Sequence, residues 1–159
     1  MKHRMLVVAV LSLAAAGCKQ KTFPVTPPAR TGISRAVIEP YLKIQASLAN
    51  DTTDDIRANA GTIATAATAL GAPATKIDTA ALRLAAAAEA ATPDMADVRD
   101  KFGMLSEAID TYMTGLKLAP PDGVKVAFCA MAHRPWMQVG ETLANPYYGK
   151  AMPTCGSFR

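Results

Sequence analysis

The sequence predicts an all-α domain: an antiparallel up-down-up-down four-helix bundle with an extended, irregular C-terminal tail that carries cysteines. Three observations predict it. Hydrophobic residues make up 50% of the chain and aromatics only 6%, so the apolar content is alanine and aliphatic, a composition that favours helices over a β-sandwich. Between Val37 and Leu118 apolar residues recur at alternating steps of three and four, the period of one helical stripe. The 159 residues suffice for one domain with tails and are too few for two of ordinary size.

The first 17 residues read as a leader. Lys2, His3 and Arg4 precede an apolar run from Met5 to Ala16. That run is too short for a permanent transmembrane helix, and its order is that of a secretory signal. Leu13-Ala14-Ala15-Ala16-Gly17-Cys18 resembles a bacterial lipobox, which implies a lipid on Cys18 and an anchor on a membrane surface. Cleavage after Ala16 without lipid is the alternative. Lys19 stands where an aspartate retains many lipoproteins at the inner membrane, so the expected location is the outer membrane, facing the periplasm. Residues 18–33 hold Pro24, Pro27 and Pro28 with few core-forming side chains, the composition of an extended tether. With Lys2 and Arg4 set aside as leader residues, the 17 basic residues fall to 15 against 13 acidic ones. No arginine-rich stripe interleaved with aromatics appears, so nucleic acid is not an expected partner.

Residues 34–118 hold the four expected helices. The first carries Val37, Tyr41, Ile44 and Leu48; Pro40 fits there only near its start, where N–H groups lack intrahelical partners. The second carries Ile56, Ala60, Ile63, Ala67 and Leu70, with Asp51 or Thr52 as its cap and Gly71 as its stop. The third runs from Ile77 to Ala91 through Ala81, Leu84 and Ala88. The fourth places Met95, Val98, Phe102, Leu105, Ile109, Tyr112 and Leu116 on one stripe. Thr92-Pro93-Asp94 opens it as cap, first-turn proline and early acid, and Ala119-Pro120-Pro121 stops it. Short links between four such segments predict the antiparallel bundle. Its interior has no Glu-x-x-His pair and no histidine, so a di-iron centre is excluded, and Cys-x-x-Cys-His for a c-type haem is missing.

Residues 119–159 change character. Val124, Val126 and Phe128 alternate with Lys125 and Ala127 in a short extended run. After Cys18 the chain has nine Cys, Met and His residues, and six of them fall between 129 and 155. This concentration of sulfur makes the tail the candidate site. Cys129-Ala130-Met131-Ala132, Trp136, Asn145-Pro146-Tyr147-Tyr148-Gly149, Met152 and Cys155-Gly156 together resemble the domain-of-unknown-function 3347 family. Those are periplasmic helical domains found alone or attached to heavy-metal efflux adaptor proteins. Ala130 stands where the family has proline. The resemblance implies a copper or silver context, with a heavy-metal efflux adaptor or another envelope protein as partner.

The residues support a soft metal independently. Cu(I) and Ag(I) prefer thiolate and thioether donors. In an extended backbone Cys129, Met131 and His133 face one side. Cys155 returns to them if the Asn145-Pro146 turn folds the tail back, bringing Met152 with it. Met137 is an outer donor. Zinc fits less well, for want of nearby ligands to complete a tetrahedron. The alternative is a Cys129–Cys155 disulfide, usual for two cysteines in an oxidising compartment; it would close a loop of about 27 residues and stabilise by roughly 3–4 kcal/mol. Trp136, Tyr147 and Tyr148 are expected to anchor the tail, and Asn145 to shape a turn.

The functional expectation is therefore a tethered soft-metal binding protein. A disulfide-stapled interaction module of the envelope is the alternative. An enzyme is not expected: no Ser-His-Asp set, paired-carboxylate cleft, phosphate loop, dinucleotide fingerprint or Cys-x-x-Cys pair is present.

Overall fold

The structure, a computed structural model, describes residues 32–159. The leader, Cys18 and nearly all of the tether lie outside those residues. Four helices form, α1 Arg35–Ala49, α2 Ile56–Leu70, α3 Thr75–Ala87 and α4 Met95–Gly115. They are followed by three strands, β1 Val124–Cys129, β2 Arg134–Val139 and β3 Ser157–Phe158. The strands make one antiparallel sheet in the order β2-β1-β3. The all-α expectation is thus wrong: the segment read as an irregular tail builds a sheet, and the fold combines helices with strands.

Most of the helical stripe faces inward, although Leu116, just past the end of α4, is exposed. Val37, Tyr41, Ile44, Leu48, Ile56, Ala60, Ile63, Ala67, Ile77, Ala81, Leu84, Val98, Phe102, Leu105, Ile109 and Tyr112 are all buried. Consecutive helices pack on one another, α1 on α2, α2 on α3 and α3 on α4. The four do not close into a self-sufficient bundle, because β2 lies against both α1 and α4. The two helices still meet through Tyr41 and Phe102, whose rings stack with centroids 5.1 Å apart. Tyr41 Oη and Ser106 Oγ share a hydrogen bond of 2.7 Å, and the Met137 N–H of β2 donates to the same phenol at 3.2 Å. Burial pushes the Tyr41 phenol above the usual tyrosine range. One buried hydroxyl therefore joins α1, α4 and the sheet.

Several element ends differ from the expected ones. α1 begins at Arg35, so buried Pro40 sits beyond the first turn and forfeits one backbone bond. α2 starts after Asp55 in a left-handed conformation, without a side-chain cap. Asp51 is instead the partner of Arg99, at 2.5 Å; the Arg99 hydrogen bond holds the Asp51 carboxyl below its usual range. α3 stops at Ala87, and Ala91 is exposed. Asp94, not Thr92, caps α4, its carboxylate accepting the Ala96 N–H at 3.0 Å. Ile33, read as tether, is buried in the core. No helix among the described residues is long and apolar enough to cross a membrane.

Arg134 fastens the sheet to α4. Its Nη1 donates to the Asp100 carbonyl at 2.7 Å, its Nη2 pairs with Asp100 Oδ1 at 3.0 Å, and its Nε pairs with Glu107 Oε1 at 3.2 Å. Gly103 makes room for it: a Cβ there would lie 2.1 Å from Arg134 Nη1 and 2.5 Å from Cδ. Alanine normally stabilises a helix interior by about 1 kcal/mol over glycine. Gly103→Ala is expected to reverse that sign, costing about 1–2 kcal/mol through displacement of the pinned guanidinium. Gly61→Ala in α2, where a Cβ meets nothing within 4 Å, is expected to stabilise. Thermal melts of the two variants check the contrast.

Candidate functional site

The sheet brings together the two described cysteines. Cys129 ends β1, opposite Arg134 of β2. Strand β3 pairs with the other edge of β1, Ala127 with Phe158 and Phe128 with Ser157. That register delivers Cys155, two residues before Ser157, beside Cys129. The two Sγ atoms lie 4.0 Å apart, and both thiols are free. Cys129 is fully buried and Cys155 half-buried.

Glycine at 156 is what permits this approach. Its φ of +145° lies in a region that side chains disfavour, and a Cβ there would stand 2.5 Å from Trp136 Cη2 and 2.9 Å from the Phe128 carbonyl oxygen. The indole thus packs directly under the chain that carries Cys155. Trp136 is buried, donates from Nε1 to Gln138 Oε1 at 2.9 Å, and meets the Tyr147 ring edge-on at 6.1 Å. Tyr147 in turn donates its hydroxyl to the Pro135 carbonyl. Arg99 holds the same stretch from the helix side, donating from Nε to the Pro146 carbonyl at 3.0 Å.

Cys129 has polar partners inside the core. Its sulfur accepts the Ala132 N–H and the Asn145 side-chain N–H, each at 3.4 Å. Burial raises the pKa of the Cys129 thiol, but these donors, the Met131 N–H and the Cys155 thiol outweigh it and leave the group below its usual value. Burial and the neighbouring Cys129 push Cys155 the other way. The pair is therefore asymmetric. Cys129 is the readier thiolate of the two.

Met131 and His133 are not aligned with Cys129 as an extended chain would have them. Residues 130–133 form the turn between β1 and β2, and His133 has a φ of +54°. The chain leaves the extended form directly after Cys129, so the two-residue alternation that would align Cys129, Met131 and His133 does not exist. Met131 and His133 are exposed on the turn. Met137 is buried in the core. Met152 is half-buried in the loop before Cys155, and its carbonyl accepts the Cys155 N–H at 3.3 Å. Among the described residues no three His, Cys, Asp or Glu side chains gather closely enough to hold a metal ion. What the site offers is two sulfurs.

Asn145 is the residue whose part the sequence reading understated. It shapes the turn as expected, yet it also touches the Cys129 sulfur. Its place next to a proline hid this, because Asn-Pro is a common turn opener. No family model, curated protein or solved structure matches the chain.

Proposed function

We propose that the chain is a soft-metal binding module for Cu(I) or Ag(I), with Cys129 and Cys155 as its ligands; Met152 lies three positions before Cys155 in the chain. The observation that carries this reading is the pair of free sulfurs 4.0 Å apart, one of them polarised by two N–H donors. Metal–thiolate bonds of about 2.3 Å would bridge that separation at an obtuse angle. Soft monovalent ions accept such low-coordinate sulfur sites, while zinc requires four ligands. The lipobox-like leader and the family-like motif support a setting on the periplasmic side of the envelope, next to a metal-efflux adaptor.

A second reading is favoured by the same distance. In an oxidising compartment the pair closes a disulfide that fastens β3 to β1, and the domain serves as an interaction module. Two measurements separate the readings. Acid trapping of protein taken from the envelope, followed by alkylation and unreduced intact mass, is expected to show two labelled thiols. The reduced domain is then expected to take Cu(I) from a weak chromogenic chelator at one ion per chain. A mass two hydrogens light with no label, together with no uptake by the reduced form, would overturn the metal reading in favour of the staple.

A further inference from the structure

Asn145 is fully buried, and its side chain is engaged on every side. Nδ2 donates to the Cys155 carbonyl at 2.5 Å and to Cys129 Sγ at 3.4 Å. Oδ1 accepts the N–H groups of Tyr147, at 2.7 Å, and Tyr148, at 3.3 Å. Its backbone is tied as well, the N–H to the Pro153 carbonyl at 2.8 Å and the carbonyl to the Gly149 N–H at 3.0 Å. A carboxamide holds its two N–H donors in one plane. A single rigid group thus grips one sulfur and the main chain of the residue bearing the other.

We propose that Asn145 is the positioning residue of the thiol pair, setting the separation at which Cys129 and Cys155 meet. A residue needed only for the turn would use Oδ1, which caps Tyr147 and Tyr148, and would leave Nδ2 indifferent. Here Nδ2 spans the two cysteines. The charged neighbour across the ladder, Arg134, is occupied by Asp100 and Glu107, which leaves the amide as the polar side chain that bridges the pair. Where the ligand is a metal the inference rests on the function proposed above, but the geometry of the pair is also read by its own oxidation, which needs no metal.

The test uses the full domain and two variants. Asn145→Asp keeps the shape and the oxygen that accepts from Tyr147 and Tyr148, but turns the donor toward Cys155 and Cys129 into an acceptor. Asn145→Ser removes the bridge without adding charge. The first readout is the dithiol–disulfide equilibrium in glutathione buffers, under conditions where both forms are folded. Each variant is expected to disfavour the disulfide by about tenfold, which is about 30 mV for a two-electron couple. Cu(I) affinity, measured by chelator competition, is expected to fall by a similar factor, within the range that outer partners of metal ligands command. A purely structural role would lower the melting temperature and leave the equilibrium at its wild-type value, and that result overturns the proposal.

The unaltered protein gives a check that no folding defect can spoil. On oxidation the Asn145 side-chain amide resonances are expected to shift well beyond those of Gln138, whose buried amide bonds the Thr142 carbonyl instead. Asn145 resonances that stay in place count against the proposal. A wild-type domain that takes no Cu(I) but shows these redox effects would sink the metal reading alone.

Discussion

Trp136→Ala is expected to cost about 3–5 kcal/mol, the range for removing a buried aromatic from a core, and so to consume a large part of a typical domain's stability of about 5–15 kcal/mol. Trp136 is 1% exposed and stands where the sheet, the loop carrying Cys155 and the ring of Tyr147 converge. Tyr147 packs on Phe102, and Phe102 on Tyr41, so the cavity would open at the end of an aromatic row that runs into α1 and α4. Gln138 would lose the indole N–H while keeping the Ala144 N–H on the same oxygen, which makes lost volume the main term. Trp136→Phe should therefore cost much less. Urea unfolding gives both values. Amide exchange across residues 144–158 should rise in the alanine variant before exchange in α2 and α3, which make no contact with the indole's strand of comparable extent. A cost near 1 kcal/mol with unchanged exchange would mean that the indole does not couple the sheet to the helices.

How much of this was legible follows from the range over which each signal acts. The stripes of α1 to α4 are local: Ile56, Ala60, Ile63 and Ala67 advertise a buried face within four turns, and that face is buried. Helix existence is read well by such a period. The sheet was missed because β2 breaks the rule for strands. Pro135, Trp136, Met137 and Gln138 are all buried, since helices and loop cover both sides, and no alternation survives. Pro135 also argues against a strand, although β2 is an edge strand in the order β2-β1-β3, where proline is tolerated. In β1 the alternation is visible, but the buried face is that of Ala127 and Cys129, while Val124, Val126 and Phe128 are only partly buried. At the site, the pairing of Cys129 with Cys155 depends on two ladder pairs between β1 and β3, far apart in sequence. Grouping Met131 and His133 with Cys129 requires an extended chain, and a four-residue turn removes that premise. Asp51, one of two local cap candidates for α2, has its partner Arg99 48 positions away.

The two cysteines should separate when each is replaced by serine, because they form one pair and differ in burial. For Cu(I) both variants are expected to lose affinity by at least about a hundredfold, since even outer partners of metal ligands are worth roughly 10–100-fold and each cysteine supplies half of the thiolates. Met131→Leu and His133→Gln, exposed on the turn, should leave the affinity unchanged. Stability under reducing conditions should split the pair. Cys129 is fully buried with two N–H groups directed at its sulfur, and a serine oxygen, smaller and on a shorter bond, fills that space poorly; a loss of about 1–2 kcal/mol is expected. Cys155 is only half-buried, so its serine variant should melt close to the wild type. Oxidising conditions should leave both variants where they were, since neither can form the disulfide, and should raise the wild type alone, so that each variant falls further below it by the same amount. Melting with and without reductant, set beside chelator competition, therefore yields a pattern that each reading must match in full. Equal loss of affinity with unequal loss of reduced stability identifies a two-thiolate metal site built on one structural and one accessible cysteine. Unchanged affinity with an equal further drop of both variants below the oxidised wild type identifies the staple, and leaves Asn145 as the residue that aligns the bond.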